Sequence, residues 1–422
     1  MMPIKAMFGA PASAYVFEDA QVTSVFPGGS QTFNSLTNVD LTSSAATITV
    51  TLTVPASGIV WIAAGVTGRM AAAGATFLVV NDSVSGTDTD VGGFLFATAT
   101  DSQEVSGDVI LTGLSPGAHT FKLRVRVTAS SFSLNVGHHA FIRAMAITTA
   151  NVGGIIRINA GGYNVPNAIS DLLDQTGGNT YSVALTKLTA GSDLYAFLTG
   201  SASNTVGNAT HIIGAGNGTV DFDGFQNRSF TTSNRRQSTI GAANLTGLSA
   251  GAQTIRIRRR GSTTGNQWQN STANRHYSSM VVAEVGPGGF NGAHKHQVPS
   301  TNVSISTGAY SSLQDGAGNP VTFSLNKQSA GSRVLVRGSV SGTGAAANQT
   351  AGLGVNVGGA DYDVSAIQTD ATPHKAMLGE VIISGLPAGS NTFTGRLKTN
   401  SPLGFQTQTV NSINFTVFEL TA

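Results

Sequence analysis

The residues of this 422-residue chain whose types could do chemistry are eight histidines, a run of aspartates and a run of arginines. His138 and His139 adjoin each other in a Gly/Asn-rich loop, and His294-Lys295-His296 sets two imidazoles at alternate positions. Alternate residues of an extended chain point to one side, so His294 and His296 could share a metal ion. No carboxylate or third histidine lies near them in sequence, so they read as part of a solvated linker, and His139 as part of a domain rim. The stretch NDSVSGTDTDVGG (81–93) offers Asp82, Asp88 and Asp90 as oxygen ligands, with the alternation that calcium loops use. It lacks the glycine and distant glutamate of an EF-hand, and no helical pattern flanks it. A polar surface loop is expected there, with no metal site and no cofactor.

The arginines are the strongest charge feature. Residues 151–286 carry ten basic against six acidic residues, whereas residues 1–150 carry six against nine. Arg235, Arg236, Arg258, Arg259 and Arg260 are candidate contacts for an anion or an acidic partner surface; the alternative is a solvated outer face. Arg259 falls in phase with Ile255 and Ile257, so it lies past the buried part of its strand or faces a partner. Nucleic acid is not expected, because few aromatics stand near these arginines and the net charge is only +2. Trp268, in GNQWQNSTANRHY, is a candidate for stacking on a glycan, while Trp61 sits in an alternating strand and reads as core. The string GAGNGT (214–219) has no helix after it and therefore does not describe a dinucleotide site. With no cysteine and no acidic pair beside an aromatic groove, no catalytic constellation emerges, and a non-enzyme is expected.

These residues hang on a repeated frame. LTGLSPGAHTFKLRVRV (111–127), LTGLSAGAQTIRIRRRG (245–261) and ISGLPAGSNTFTGRLKT (383–399) spell one turn-and-strand phrase three times. Gly113, Leu114 and Gly117 recur as Gly247, Leu248 and Gly251, and again as Gly385, Leu386 and Gly389. From Gly113 to Gly247 is 134 residues and from Gly247 to Gly385 is 138, a domain-sized period rather than that of a solenoid. A second landmark precedes each phrase, at Gly58, Gly191 and Gly331, and each copy closes on an apolar run from Phe141, Tyr277 or Ile413. After the turn, Phe121, Leu123, Val125 and Val127 alternate with Lys122, Arg124 and Arg126, so one face meets a core and one meets water. No helical period is sustained; NAISDLLDQ (167–175) could make a turn or two.

Only 10% of residues are charged and 52 are glycine, which suits short strands and many turns. The frame predicts an all-β chain of three tandem antiparallel β-sandwich domains of jelly-roll type. Their expected bounds are 16–150, 151–286 and 301–422, with an arm at 1–15 and a Gly/Pro-rich linker at 287–300 (GPGGFNGAHKHQVPS spans 286–300). No apolar stretch approaches a membrane span and the start has no apolar secretory run, so neither membrane nor general export is expected.

The GL-x-x-G-x-x-T turn, the alternating strand after it, the Gly/Ser/Asn loop and the closing FTVFEL-like strand resemble the tumour-necrosis-factor-like jelly rolls of bacteriophage virion proteins. A fibronectin type III-like sandwich shares part of the phrase, but Thr120, Thr254 and Thr392 stand where that family has a corner tyrosine. The resemblance implies a capsid decoration, head-fibre or tail-fibre component, made in a host cytoplasm and resident in the virion. It further implies partners among capsid or tail proteins and domains clustered about a threefold axis. A homotrimer is favoured over an internal threefold head, since the linker would let the third domain sit apart. Host attachment through a surface glycan is the alternative reading.

Overall fold

The computed structural model describes residues 20–420 except 28, 44–45, 97–101, 149–151, 160–162, 165–167, 173–179, 205–209, 229–234, 262–265, 269–275, 288, 345–348, 370–373, 401–403 and 408–410. The arm expected at 1–15 lies outside the described residues. Among those described there is no helix. Strands pair within three consecutive stretches of chain, and each stretch builds one six-stranded and one five-stranded sheet with the same strand order. The chain builds three antiparallel jelly-roll sandwiches in succession.

Alternation explains the core of each. Val50, Leu52 and Val54 of strand Thr49–Val54 and Phe121, Leu123, Val125 and Val127 of strand Gly117–Val127 point inward from the five-stranded sheet. They meet Val60, Ile62, Ala64 and Val66 from the six-stranded sheet in one buried cluster. Each such side chain contributes about 1.5–3 kcal/mol of burial. The repeated phrase is the turn that enters this strand. Its glycines are left-handed in every copy, with φ near +71 to +79° at Gly113, Gly247 and Gly385. L-residues resist that backbone, so glycine recurs there while neighbours diverge. Leu248 and Leu386 are buried behind the turn, and Leu114 packs against its core while partly exposed.

The central strands behave differently. Ile59–Met70, Asp193–Asn204 and Arg333–Gly344 each run between two long neighbours, and Ile59–Met70 is buried along nearly its whole length on both faces. Trp61 is accordingly 1% exposed, but it points away from the sandwich core that Ile62 fills. Trp61 is core, as its strand suggests, but of a separate apolar cluster with Tyr195, Phe197, Leu335 and Phe418, which comes from all three copies.

The two sheets also nearly touch at one edge. A bulge skips one residue at the same place in each copy, opposite Leu78/Val79, Ile213/Gly214 and Leu353/Gly354. The bulge turns that strand towards the other sheet. A Cβ on Gly107 would stand 1.8 Å from the Val91 carbonyl oxygen, and one on Gly379 1.8 Å from that of Val364.

Two expectations from sequence are overturned here. The linker at 287–300 is not one: Gly292–Gln297 is a strand paired with Ile413–Leu420, from Gly292 opposite Phe418 to Gln297 opposite Ile413. The Gly/Pro signal marks only a tight turn, closed by Phe290 N–H donating to the Glu284 carbonyl at 2.8 Å. Nor is 167–175 helical where described, since Ser170–Asp171 pairs with Arg258 and Arg259 in a sheet.

Candidate functional site: the axis between the copies

The outer face of each six-stranded sheet is covered by the other copies. Strand Ser102–Leu111 of the first copy packs on Val152–Asn159 and His276–Val285 of the second. Arg235–Leu245 of the second packs on Gly292–Gln297 and Ile413–Leu420 of the third, and His374–Ile383 of the third packs on Ala20–Val25 and Ala140–Ile147 of the first. Each contact uses the same two unlike edges, and after three steps the circle closes, which is how head-to-tail interfaces make rings. The third copy therefore does not sit apart.

Register places residues in layers along the axis of this ring. One layer takes Ala63, Asp108 and Arg143 from the first copy, Phe197, Ala242 and Val281 from the second, and Arg337, Glu380 and Thr416 from the third. The positions correspond, but the chemistry does not. Arg337 donates to both Asp108 oxygens at 2.7 Å and to Glu380 at 3.1 Å, and Arg143 Nε donates to Glu380 at 2.6 Å. Trp61 Nε1–H donates to Asp108 at 3.0 Å. The Arg143 guanidinium lies 4.2 Å from the Trp61 ring and that of Arg337 5.0 Å from the Phe197 ring. Two cations and two anions, all at most 6% exposed, thus form a neutral quartet between copies one and three, while copy two supplies the apolar wall. Burying charge is costly unless it is paired, and here each charge is.

From beneath, Trp61 and Phe418 gather against Phe197 of this layer with ring centroids 5.1 to 6.3 Å apart. Above it polar bonds tie the copies together: Thr67 Oγ1 donates to the Ala366 carbonyl at 2.9 Å, and Ser339 Oγ to the Ile240 carbonyl at 3.3 Å. Glu104 is buried in this upper part, and burial pushes its carboxyl well above the usual range, against the pull of the Leu378 backbone and Arg337.

The aspartates at 88 and 90 and the arginines at 258 and 260 each find a partner of opposite charge within their own copy. Asp88 and Asp90 pair with Arg124 and Arg126, Asp221 and Asp223 with Arg258 and Arg260, Asp361 and Asp363 with Arg396 and Lys398. Each set forms one ladder on the outer face of a five-stranded sheet. In 81–93, Asp88 and Asp90 face guanidinium groups, and Asp82 accepts from His119 at 2.8 Å and caps the turn at Val84 and Ser85. Arg258 and Arg260, read as candidate anion contacts, already have counter-ions in Asp221 and Asp223, two strands away in the same sheet. Arg259 is buried in phase with Ile255 and Ile257. Arg235 and Arg236 lie in strand Arg235–Leu245, and their side chains are outside the described residues. The signal that reveals the ladders was present as D-x-D followed some three dozen residues later by [RK]-x-[RK], in all three copies.

The remaining candidates are dispersed. His139 is fully buried rather than at a rim, with Nε2 2.6 Å from Ser24 Oγ; burial lowers its pKa and that of His138 to about 3. His294 and His296 do share a side of their strand, but each ring bonds to the final strand, at Thr416 and Asn414. Trp268 belongs to the short strand Asn266–Trp268 rather than a loop, and its side chain is outside the described residues. Among the described residues no group of three metal-ligating side chains converges.

No protein-family model and no curated protein matches the chain. Solved structures that align with it include PNGase F, a glycosylasparaginase of Flavobacterium meningosepticum, at 12% identity, covering 60% of this chain and 96% of that one with TM-score 0.28. A chain of Sulfolobus turreted icosahedral virus aligns at 12% identity over 97% and 98% of the two chains, TM-score 0.20. An archaeal-virus chain described by a triple jelly roll fold and turret assembly aligns at 13% identity over 98% and 99%, TM-score 0.20. Such TM-scores carry no argument for function.

Proposed function

We propose that this chain is a non-enzymatic structural component of a virus particle, a decoration or fibre protein of a tailed bacteriophage that binds a capsid or tail surface. The observation that carries the reading is the closed ring of three sandwiches, bolted along its axis by a buried charge quartet. Such an interior suits mechanical rigidity: its most elaborate polar chemistry is sealed from solvent and spent on holding copies together. The ion ladders outside give each lobe a charged but internally neutralised skin. Because one chain supplies a complete threefold cluster, the working unit in this proposal is the single polypeptide, in place of the homotrimer favoured from sequence.

Deleting the gene from a phage that carries it tests the reading. Particles should assemble with lower thermal or osmotic resistance, and added purified protein should bind them and restore it. Particles of unchanged resistance to which the protein does not bind would remove the proposal.

A further inference from the structure

A cleft of about 310 Å³ opens where the third copy meets the first, at the small end of the range for ligand sites. One wall is Phe26, which is 43% exposed although its ring packs 4.8 Å from the buried His139. The lining also holds the Asp363–Lys398 rung of the third ladder, closed at 2.6 Å. Burial works against it, but Lys398 and Tyr310 hold the Asp363 carboxyl below the usual range, so it stays ionised and accepting. The floor includes Ser365, 1% exposed, whose Oγ has no hydrogen-bond partner among the described residues. A buried hydroxyl left unpaired costs about 1–3 kcal/mol, a debt that a bound hydroxyl or water would cancel.

We infer that this cleft binds a neutral sugar residue, stacked on Phe26 and hydrogen-bonded at Asp363 and Ser365. The chemistry of the walls selects that class. The two charges that line the cleft, Asp363 and Lys398, cancel, so an ionic ligand gains little. A flat aromatic face suits the apolar C–H face of a pyranose. Directional acceptors and donors around it suit equatorial hydroxyls, as sites with few placed polar groups do. Glycines at 137, 308 and 352 line the cleft and keep it open: a Cβ on Gly137 would fall 2.3 Å from Thr350 Oγ1 and one on Gly352 3.0 Å from Lys398. The site belongs to one of the three junctions. The position corresponding to Phe26 in the third copy, after Gln297, is Val298, so the aromatic wall there is missing. It is also a different place from Trp268.

The test is saturation-transfer NMR on the full chain with glucose, galactose, mannose and N-acetylglucosamine, followed by titration of whichever binds. At least one sugar should bind in the millimolar range. Phe26→Ala, at a half-exposed position, should weaken it tenfold or more with an unchanged melting curve, Ser365→Ala should weaken it several-fold, and Trp268→Ala should leave it alone. No transfer to any of the four sugars, binding indifferent to Phe26→Ala, or preference for a charged amino acid over every sugar would each overturn the inference. It stands apart from the virion reading, since sugar binding is measured on the isolated chain and particle resistance is not.

Discussion

At the scale of single residues, the axial layer shows how three copies of one unit became unequal. Where copy one has Asp108 and Arg143 and copy three has Arg337 and Glu380, copy two has Ala242, Val281 and Phe197. The shortest bonds of the quartet run between unlike copies, Arg337 to Asp108 at 2.7 Å and Arg143 to Glu380 at 2.6 Å. Asp108→Asn should therefore cost about 3–5 kcal/mol in denaturant unfolding, because Arg337 and Trp61 lose their anion within a sealed interior. A loss under about 1 kcal/mol, the value of an exposed pair, would contradict the buried network. Titration adds a second outcome. His138 and His139 have pKa values near 3 in the fold against 6.5 for a free imidazole, so unfolding takes up protons as pH drops below that value. Their contribution is complete above pH 6.5 and drains away towards pH 3. Glu104 has the opposite sign: its folded pKa is raised, so stability is lost as pH rises above the ordinary carboxylate range. Glu104→Gln should flatten the alkaline side of the stability–pH curve and leave the acid side in place, as read from denaturant midpoints between pH 4 and 9.

At the scale of elements, the bulge recurs in every copy, and in copies one and three a glycine pressed on its carbonyl lets the two sheets come close. Gly379→Ala should lower stability by at least about 1–3 kcal/mol, because the new methyl meets the Val364 carbonyl and backbone must move. Gly191→Ala, with open space around its Cα, is the neutral control; equal melting temperatures for the two would show that the sheets are not in fact pressed together there. Elements were also what the sequence revealed best. The left-handed glycines at 113, 247 and 385 and the alternation after them are local demands of the backbone, and so they survive divergence and can be read. Gly292–Gln297 was missed because AHKHQ has no apolar alternation: it is an edge strand, half-buried throughout. The ion ladders escaped notice because each half was read alone, as a polar surface loop or as an anion patch, when the D-x-D and its basic counterpart lie two strands apart. The quartet was beyond reach, since Arg143, Arg337 and Glu380 come from three separate strands of two copies and no local pattern links them.

At the scale of the whole molecule, the ring predicts a compact particle of one chain. Sedimentation should return the 43.0 kDa of the monomer, and a fragment holding only the third copy should aggregate or bind hydrophobic dye, because Leu335, Phe418 and Ile382 would lose their cover. A monodisperse, dye-free fragment would mean that the axial cluster is dispensable. The inequality of the axial layer has an outcome beyond stability. A body with a threefold outline but three unlike lobes can settle on a symmetric socket in any of three rotated poses. Image averaging under imposed symmetry would then superpose Phe197 on Arg337 and on Ala63, and blur the feature that distinguishes the lobes.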